Sequence, residues 1–136
     1  MTDPKPFIDT NILLCLFSEK AERADRAEEI VRAGGRTSVQ VLNELANVAR
    51  RKLTLSWEEI NEILTIICSV CPADALTLET HERGMIIAER YKISIYDSMI
   101  IASALLAGCE TLYSEDMQDE LLINQQLCIL NPFAKH

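Results

Sequence analysis

Apolar and polar positions follow one another along the chain in two kinds of block. Phe7-Ile8 and, after Asp9-Thr10-Asn11, Ile12-Leu13-Leu14 read as a buried strand running into a loop and helix. Apolar residues then recur at helical spacing over residues 21–33, 39–52, 57–68, 78–91 and 95–107. Between these patterns lie apolar pieces of strand length, at 36–38, 70–75, 111–114 and 127–130. Turn signals fall singly, at Gly34-Gly35, Pro72, Gly108 and Pro132, and no repeat, low-complexity tract or interdomain linker interrupts the series. Strands alternating with helices predict a three-layer α/β/α fold with a central parallel sheet, because crossovers between parallel strands lay helices over the sheet faces. Such sheets bind ligands in the crevice beyond the C-terminal ends of their strands.

Composition narrows this picture without changing it. With 136 residues, 49% hydrophobic and 25% charged, and only four Gly and four Pro, the chain reads as one globular domain over residues 1–136, not a disordered or collagen-like polymer. Residues 1–6 lack the apolar core of a signal peptide, and no run of about 18 apolar residues suggests a membrane span, so a cytoplasmic location is expected. Five cysteines, an odd number scattered through apolar stretches, read as reduced, buried thiols. Cys68-x-x-Cys71 has the spacing of half a zinc or redox motif, yet it lacks a second such pair and any nearby His.

A formal net charge of −8 argues against a broad basic face for gripping nucleic acid. That objection weakens if several carboxylates gather at one cation site, since bound divalent ions reverse the local field.

Four acids stand where the predicted fold exposes its crevice. Asp9 directly follows the first strand, a position that also suits an Asx turn or helix N-cap. Glu44 has Val41 and Val48 at i−3 and i+4, which puts it at the border of an apolar helix face. It is there either as a site carboxylate or as a boundary residue whose stem packs while its head reaches water. Asp97 is in line with Ile100, Ile101 and Ala104 on the buried stripe of its helix, where a charge needs a partner. Ser94-x-x-Asp97 is also a capping-box pattern, and an acid in a first helical turn meets the positive end of the dipole. Asp116 lies just past another candidate strand in an acidic loop able to cap a following helix, with Glu115 and Asp119 as alternative inward-facing groups.

Clustered carboxylates repel and raise one another's pKa values, and a hard divalent cation, Mg²⁺ or Mn²⁺, removes that conflict. His81 and His136 are the only histidines, which leaves little scope for a histidine-based zinc site or acid–base pair. The one tight basic cluster is Arg50-Arg51-Lys52, one to two turns beyond Glu44. It is placed either to meet phosphates beside the acids or to complement a helix C-terminus. Arg83 and Lys92 are further, weaker candidates for phosphate contact.

The segments FIDTN, TSVQVLNELANV, IYDSMIIASALLAGC and LYSEDMQD, around Asp9, Glu44, Asp97 and Asp116, resemble in order and spacing the four blocks of PIN-domain nucleases. They are most similar to the VapC-like toxins of toxin–antitoxin pairs. The resemblance implies a parallel-sheet α/β/α domain that hydrolyses RNA with Mg²⁺ or Mn²⁺, leaving a 5′-phosphate and a 3′-hydroxyl. Carried onto this chain, it makes Asp9, Glu44, Asp97 and Asp116 metal ligands or groups that orient metal-bound water, with Asp119 an additional acid and Thr10, Asn11, Ser38 and Ser114 the small polar supports. It also implies a homodimer and a small antitoxin partner.

Other readings remain: a PIN-like nucleic-acid-binding module without catalysis, and a nuclease for structured DNA. A haloacid-dehalogenase-like phosphatase would want Asp-x-Asp where this chain has Asp9-Thr10-Asn11. A receiver domain would want an acceptor aspartate and a later lysine after a strand.

Overall fold

In the computed structural model, which describes residues 4–134, short strands alternate with six α-helices. Strand β1 (Phe7–Ile8) is completely buried and stops at Asp9, whose carboxylate accepts the Thr10 N–H and caps α1 (Thr10–Leu14). A 3₁₀ turn (Cys15–Phe17) leads to α2 (Ala21–Arg32) and β2 (Thr37–Ser38). Buried Ser38 ends that strand and caps α3 (Val39–Arg51) by accepting the Val41 N–H. The helix then buries Val41, Leu45 and Ala49, one residue per turn along a single face. Reciprocal boxes start α4 (Trp57–Val70), through Ser56 and Glu59, and α5 (Leu78–Tyr91), through Thr77 and Thr80, with β3 (Ala73–Asp74) between them. Ser94 caps α6 (Ile95–Leu106), which is buried along its whole length from Ser98 to Leu105.

Strands β4 (Thr111–Tyr113), β5 (Leu122–Ile123) and β6 (Leu127–Leu130) complete a sheet of order β1-β4-β6-β5, parallel except at β5. The parallel pair β2-β3 joins it at β1, where Ile8 N–H donates to Arg36 and Arg36 N–H to Pro6. The core centres on Phe7, Ile8, Ile100, Ile101, Leu112 and Ile129. Gly84 lets α5 and α6 meet closely, since a Cβ there would come within 2.7 Å of Met99 Sδ. Among the described residues, no helix is long and apolar enough to cross a membrane.

Three sequence expectations need correction. The strand expected over 70–75 is only Ala73–Asp74, because α4 continues through Val70 beyond the end its pattern suggested. Among the described residues, no helix follows Asp116. The chain instead forms the β5-β6 hairpin, turned by Asn124 and Gln125 at positive φ, and β5 makes the sheet mixed. Finally, Cys68 is exposed while Cys71 is fully buried, so the two thiols do not share one environment, although all five cysteines are free. Residues 1–3, part of the segment read for an export signal, and His136 lie outside the described residues.

Candidate functional site: an acidic cleft at the strand ends

Asp9 and Ser114 each follow the last residue of a parallel strand, β1 and β4, so the sheet delivers both to one edge. Helices α3 and α6 bring Glu44 and Asp97 to the same place. An open cleft of about 360 Å³ is lined there by all four acids, Asp9, Glu44, Asp97 and Asp116, together with Thr10, Asn11, Leu14, Asn47, Val48 and Lys52. A larger cleft lies at the opposite, N-terminal ends of the strands, but its cations are engaged: Lys5 donates to the Ala33 carbonyl and Arg36 pairs with Asp74.

Asp9 is the most constrained of the acids, only 3% exposed. Its Oδ1 accepts the Thr10 N–H at 2.7 Å, and its Oδ2 accepts the Ser114 hydroxyl at 2.8 Å and the Asn11 amide at 3.2 Å. Asn11 also donates to Ser114 Oγ and accepts the Glu115 N–H at 2.8 Å, which ties the loop after β4 to the start of α1. Thr10 Oγ1 donates to Glu44 Oε2 at 2.7 Å, and Gln40 Nε2 donates to Glu44 Oε1 at 3.3 Å. The Ser94 hydroxyl accepts the Asp97 N–H at 3.2 Å, whereas Asp116 is exposed and makes no hydrogen bond or ion pair with the described residues. The loop carrying Asp116 is anchored by its neighbour, Glu115, whose two oxygens both accept from Arg23 Nη2 at 2.6 and 2.7 Å.

Burial raises the Asp9 carboxyl to about 6; the bonds from Ser114 and Thr10 work against that rise, and the charges of Asp97 and Glu44 add to it. Asp97 is likewise raised, first by burial and then by Glu44 and Asp116, against the Ser94 hydroxyl. No Lys or Arg forms an ion pair with any of the four acids among the described residues. Nor, among those residues, do three Asp, Glu, His or Cys side chains stand close enough to enclose a metal ion. The acids line an open cleft instead of forming a closed cage. That arrangement fits Mg²⁺ or Mn²⁺ by donor chemistry, since such ions keep several waters and take only one or two carboxylates directly.

The remaining sequence candidates are distributed unevenly. Ser38 is absent from the cleft wall and serves as the cap of α3. Asp119 is also away from the cleft, with its Oδ1 accepting the Asn131 N–H at 2.8 Å. Arg50 is turned aside, donating to the Leu55 carbonyl at 3.0 Å with its guanidinium 4.8 Å from the Trp57 ring centroid. Arg51 is exposed and does not line the cleft. Of the basic triplet only Lys52 reaches the acids' cavity. Gln40 was not singled out from sequence. Its i, i+4 relation to Glu44 was a readable signal, but its second bond, to the Tyr96 carbonyl on α6, was not.

The family model described as PIN domain matches residues 7–121. Among solved structures, a toxin–antitoxin complex from Klebsiella pneumoniae shares 21% identity at a TM-score of 0.71, covering 94% of this chain and 98% of that one. VapC20 of Mycobacterium tuberculosis, described as a sarcin–ricin loop cleaving toxin, shares 19% at 0.65, covering 81% and 88%. VapBC2 from Rickettsia felis, bound to a DNA fragment from its promoter, shares 18% at 0.64, covering 90% and 95%. At these identities the structures establish a shared fold. No curated protein matches the chain.

Proposed function

The chain belongs to the PIN domain family, and on that premise we propose that it is a metal-dependent endoribonuclease, the toxin of a toxin–antitoxin pair. The observation that carries this reading is the meeting of Asp9, Glu44, Asp97 and Asp116 in one cleft at the C-terminal ends of β1 and β4, without a paired cation. Similarity in fold to VapC20, itself described as a sarcin–ricin loop cleaving toxin, supports the substrate class.

These acids would hold Mg²⁺ or Mn²⁺, one or two of them directly and the others through its waters. Such an ion supplies Lewis acidity, making water nucleophilic near neutral pH and offsetting charge on the phosphate. Asp9, held by three donors, and Glu44, held by two, are fixed acceptors that orient the reacting centre. Asp116, exposed at the cleft, would take the proton of the attacking water as its oxygen bonds to phosphorus and the P–O3′ bond breaks; the departing 3′ oxygen takes a proton from solvent, which leaves a 5′-phosphate and a 3′-hydroxyl. Lys52 meets a backbone phosphate at the cleft wall. An antitoxin partner is supported by the fold shared with a toxin–antitoxin complex, and a homodimer by the exposed apolar side chains of Leu78, Met85 and Ile86 on α5.

The purified protein, free of other chains, is expected to cut single-stranded RNA in Mn²⁺ and to stop when EDTA is added, as read on denaturing gels. RNA that is bound but left intact would favour a non-catalytic binding module, and selective cutting of branched DNA would change the substrate. A finer test separates two cations at the C-terminal end of α3. Lys52→Ala is expected to raise KM for RNA and flatten its salt dependence with little effect on kcat. Arg50→Ala, which loses one hydrogen bond and a ring contact, should cost about 1 kcal/mol of stability and leave KM unchanged. The opposite pattern in urea melts and steady-state kinetics would move the phosphate contact to Arg50.

A further inference from the structure

Two of the four acids, Asp9 and Glu44, are linked by one chain of hydrogen bonds, which ends on the backbone beside a third, Asp97. Thr10 joins Asp9 to Glu44, its N–H donating to the first and its hydroxyl to the second. Gln40 then continues the chain: its Nε2 donates to Glu44 Oε1 at 3.3 Å and to the Tyr96 carbonyl at 2.8 Å. Tyr96 is the residue immediately before Asp97 in the first turn of α6. Both amide hydrogens of Gln40 are therefore used, one on a site acid and one on the backbone that carries the next.

An i, i+4 Gln–Glu pair on a helix surface is ordinary and worth only a few tenths of a kcal/mol. The bond across to α6 sets this one apart. Among the described residues it is the only hydrogen bond between α3 and α6, the two helices that carry Glu44 and Asp97. Two carboxylates facing one cleft repel, and this bond opposes their spread at the cleft end of the two helices, beside the apolar core that both helices share.

We infer that Gln40 is a positioning residue that sets the separation of Glu44 and Asp97, and so the affinity of the cleft for a divalent cation. This rests on the functional reading above. Gln40 does not line the cleft and acts through Glu44 and the α6 backbone, not on substrate. Partners that orient metal-holding side chains change affinity by about 10- to 100-fold when removed.

The test uses the full chain in calorimetric titrations with Mn²⁺. Gln40→Met keeps length without a donor, and Gln40→Asn keeps the amide but falls one methylene short. Both are expected to weaken Mn²⁺ binding by about 10-fold, with little change in the metal-free melting temperature. RNA cleavage should show a lower kcat at an unchanged KM. In a Glu44→Gln background, Gln40→Met should weaken Mn²⁺ no further, because its effect passes through Glu44. Wild-type affinity in both single variants would overturn the inference, as would an equal loss with and without Glu44, or a loss accompanied by a collapse of metal-free stability. If the wild-type protein itself binds no Mn²⁺ and cuts no RNA, the functional reading fails first and takes this role with it.

Discussion

Asp9→Asn is expected to abolish RNA cleavage while making the metal-free protein more stable, a combination that separates a functional acid from a structural cap. Asp9 does both jobs: it caps α1 and lines the acidic cleft. Its carboxylate is buried beside Asp97 and Glu44, so at neutral pH the folded chain carries a charge that burial disfavours. Asn has nearly the same volume and keeps an oxygen for the Thr10 N–H, while the Ser114 hydroxyl can rotate to accept from the new amide. The bond from Asn11 is the main loss, about 1 kcal/mol. Relief of the buried charge exceeds it, so a rise in melting temperature of roughly 3–8 °C is expected by calorimetry at pH 7.5 in EDTA. Activity should fall by at least about 100-fold, the order of loss that a 1 Å misplacement brings to an oriented reaction. Lower stability together with lost activity would mean that capping dominates. Unchanged cleavage would remove Asp9 from the site.

The local rules of the chain made much of this site readable. Phe7-Ile8 before Asp9 marked a strand end, and Val41 and Val48 marked an apolar side of α3 with Glu44 at its border, although the helix buries Val41, Leu45 and Ala49 while Val48 lines the cleft. Ser94 marked the start of α6 and so the place of Asp97 in its first turn. The misses have a different origin. A two-residue strand such as β5 has no period to detect, and its pairing with β6 depends on a turn at Asn124-Gln125 that lacks glycine. Asp116 and Asp119 are equally acidic in sequence; the loop's path decides that one lines the cleft and the other holds Asn131. Arg50 and Lys52 belong to one basic triplet, yet the contact with Trp57 beyond the helix end takes Arg50 away and leaves Lys52 at the cavity. Gln40 is the extreme case, since its role depends on a residue 56 positions away.

The pH dependence of stability should carry the mark of the same cleft. The Asp9 carboxyl titrates at about 6 in the folded chain and at the ordinary 3.8 once exposed. Below 3.8 both states hold the proton and the folded state bears no penalty. Between 3.8 and 6 the unfolded chain has released it while the folded chain keeps it, so stability falls as pH rises, and above 6 the loss is complete. Its size is on the order of 3 kcal/mol. Asp97 is raised too and moves the curve the same way. Glu59, whose bonds to Ser56 lower its carboxyl, acts in the opposite sense, but at more acid pH. Among the described residues, the charges facing Asp9 across the cleft are Glu44 from α3, Asp97 from α6, Asp116 from its loop and the cation of Lys52. Urea melts in EDTA at pH 4.5 through 7.5 are therefore expected to show declining stability, and Asp9→Asn should flatten the decline. Mn²⁺ at about 100 times its Kd should restore roughly 2.7 kcal/mol at pH 7.5 and far less at pH 4.5, where protons occupy the acids it needs. A decline that persists unchanged in Asp9→Asn would place the titrating group elsewhere, and a Mn²⁺ effect independent of pH would separate cation binding from this carboxylate cluster.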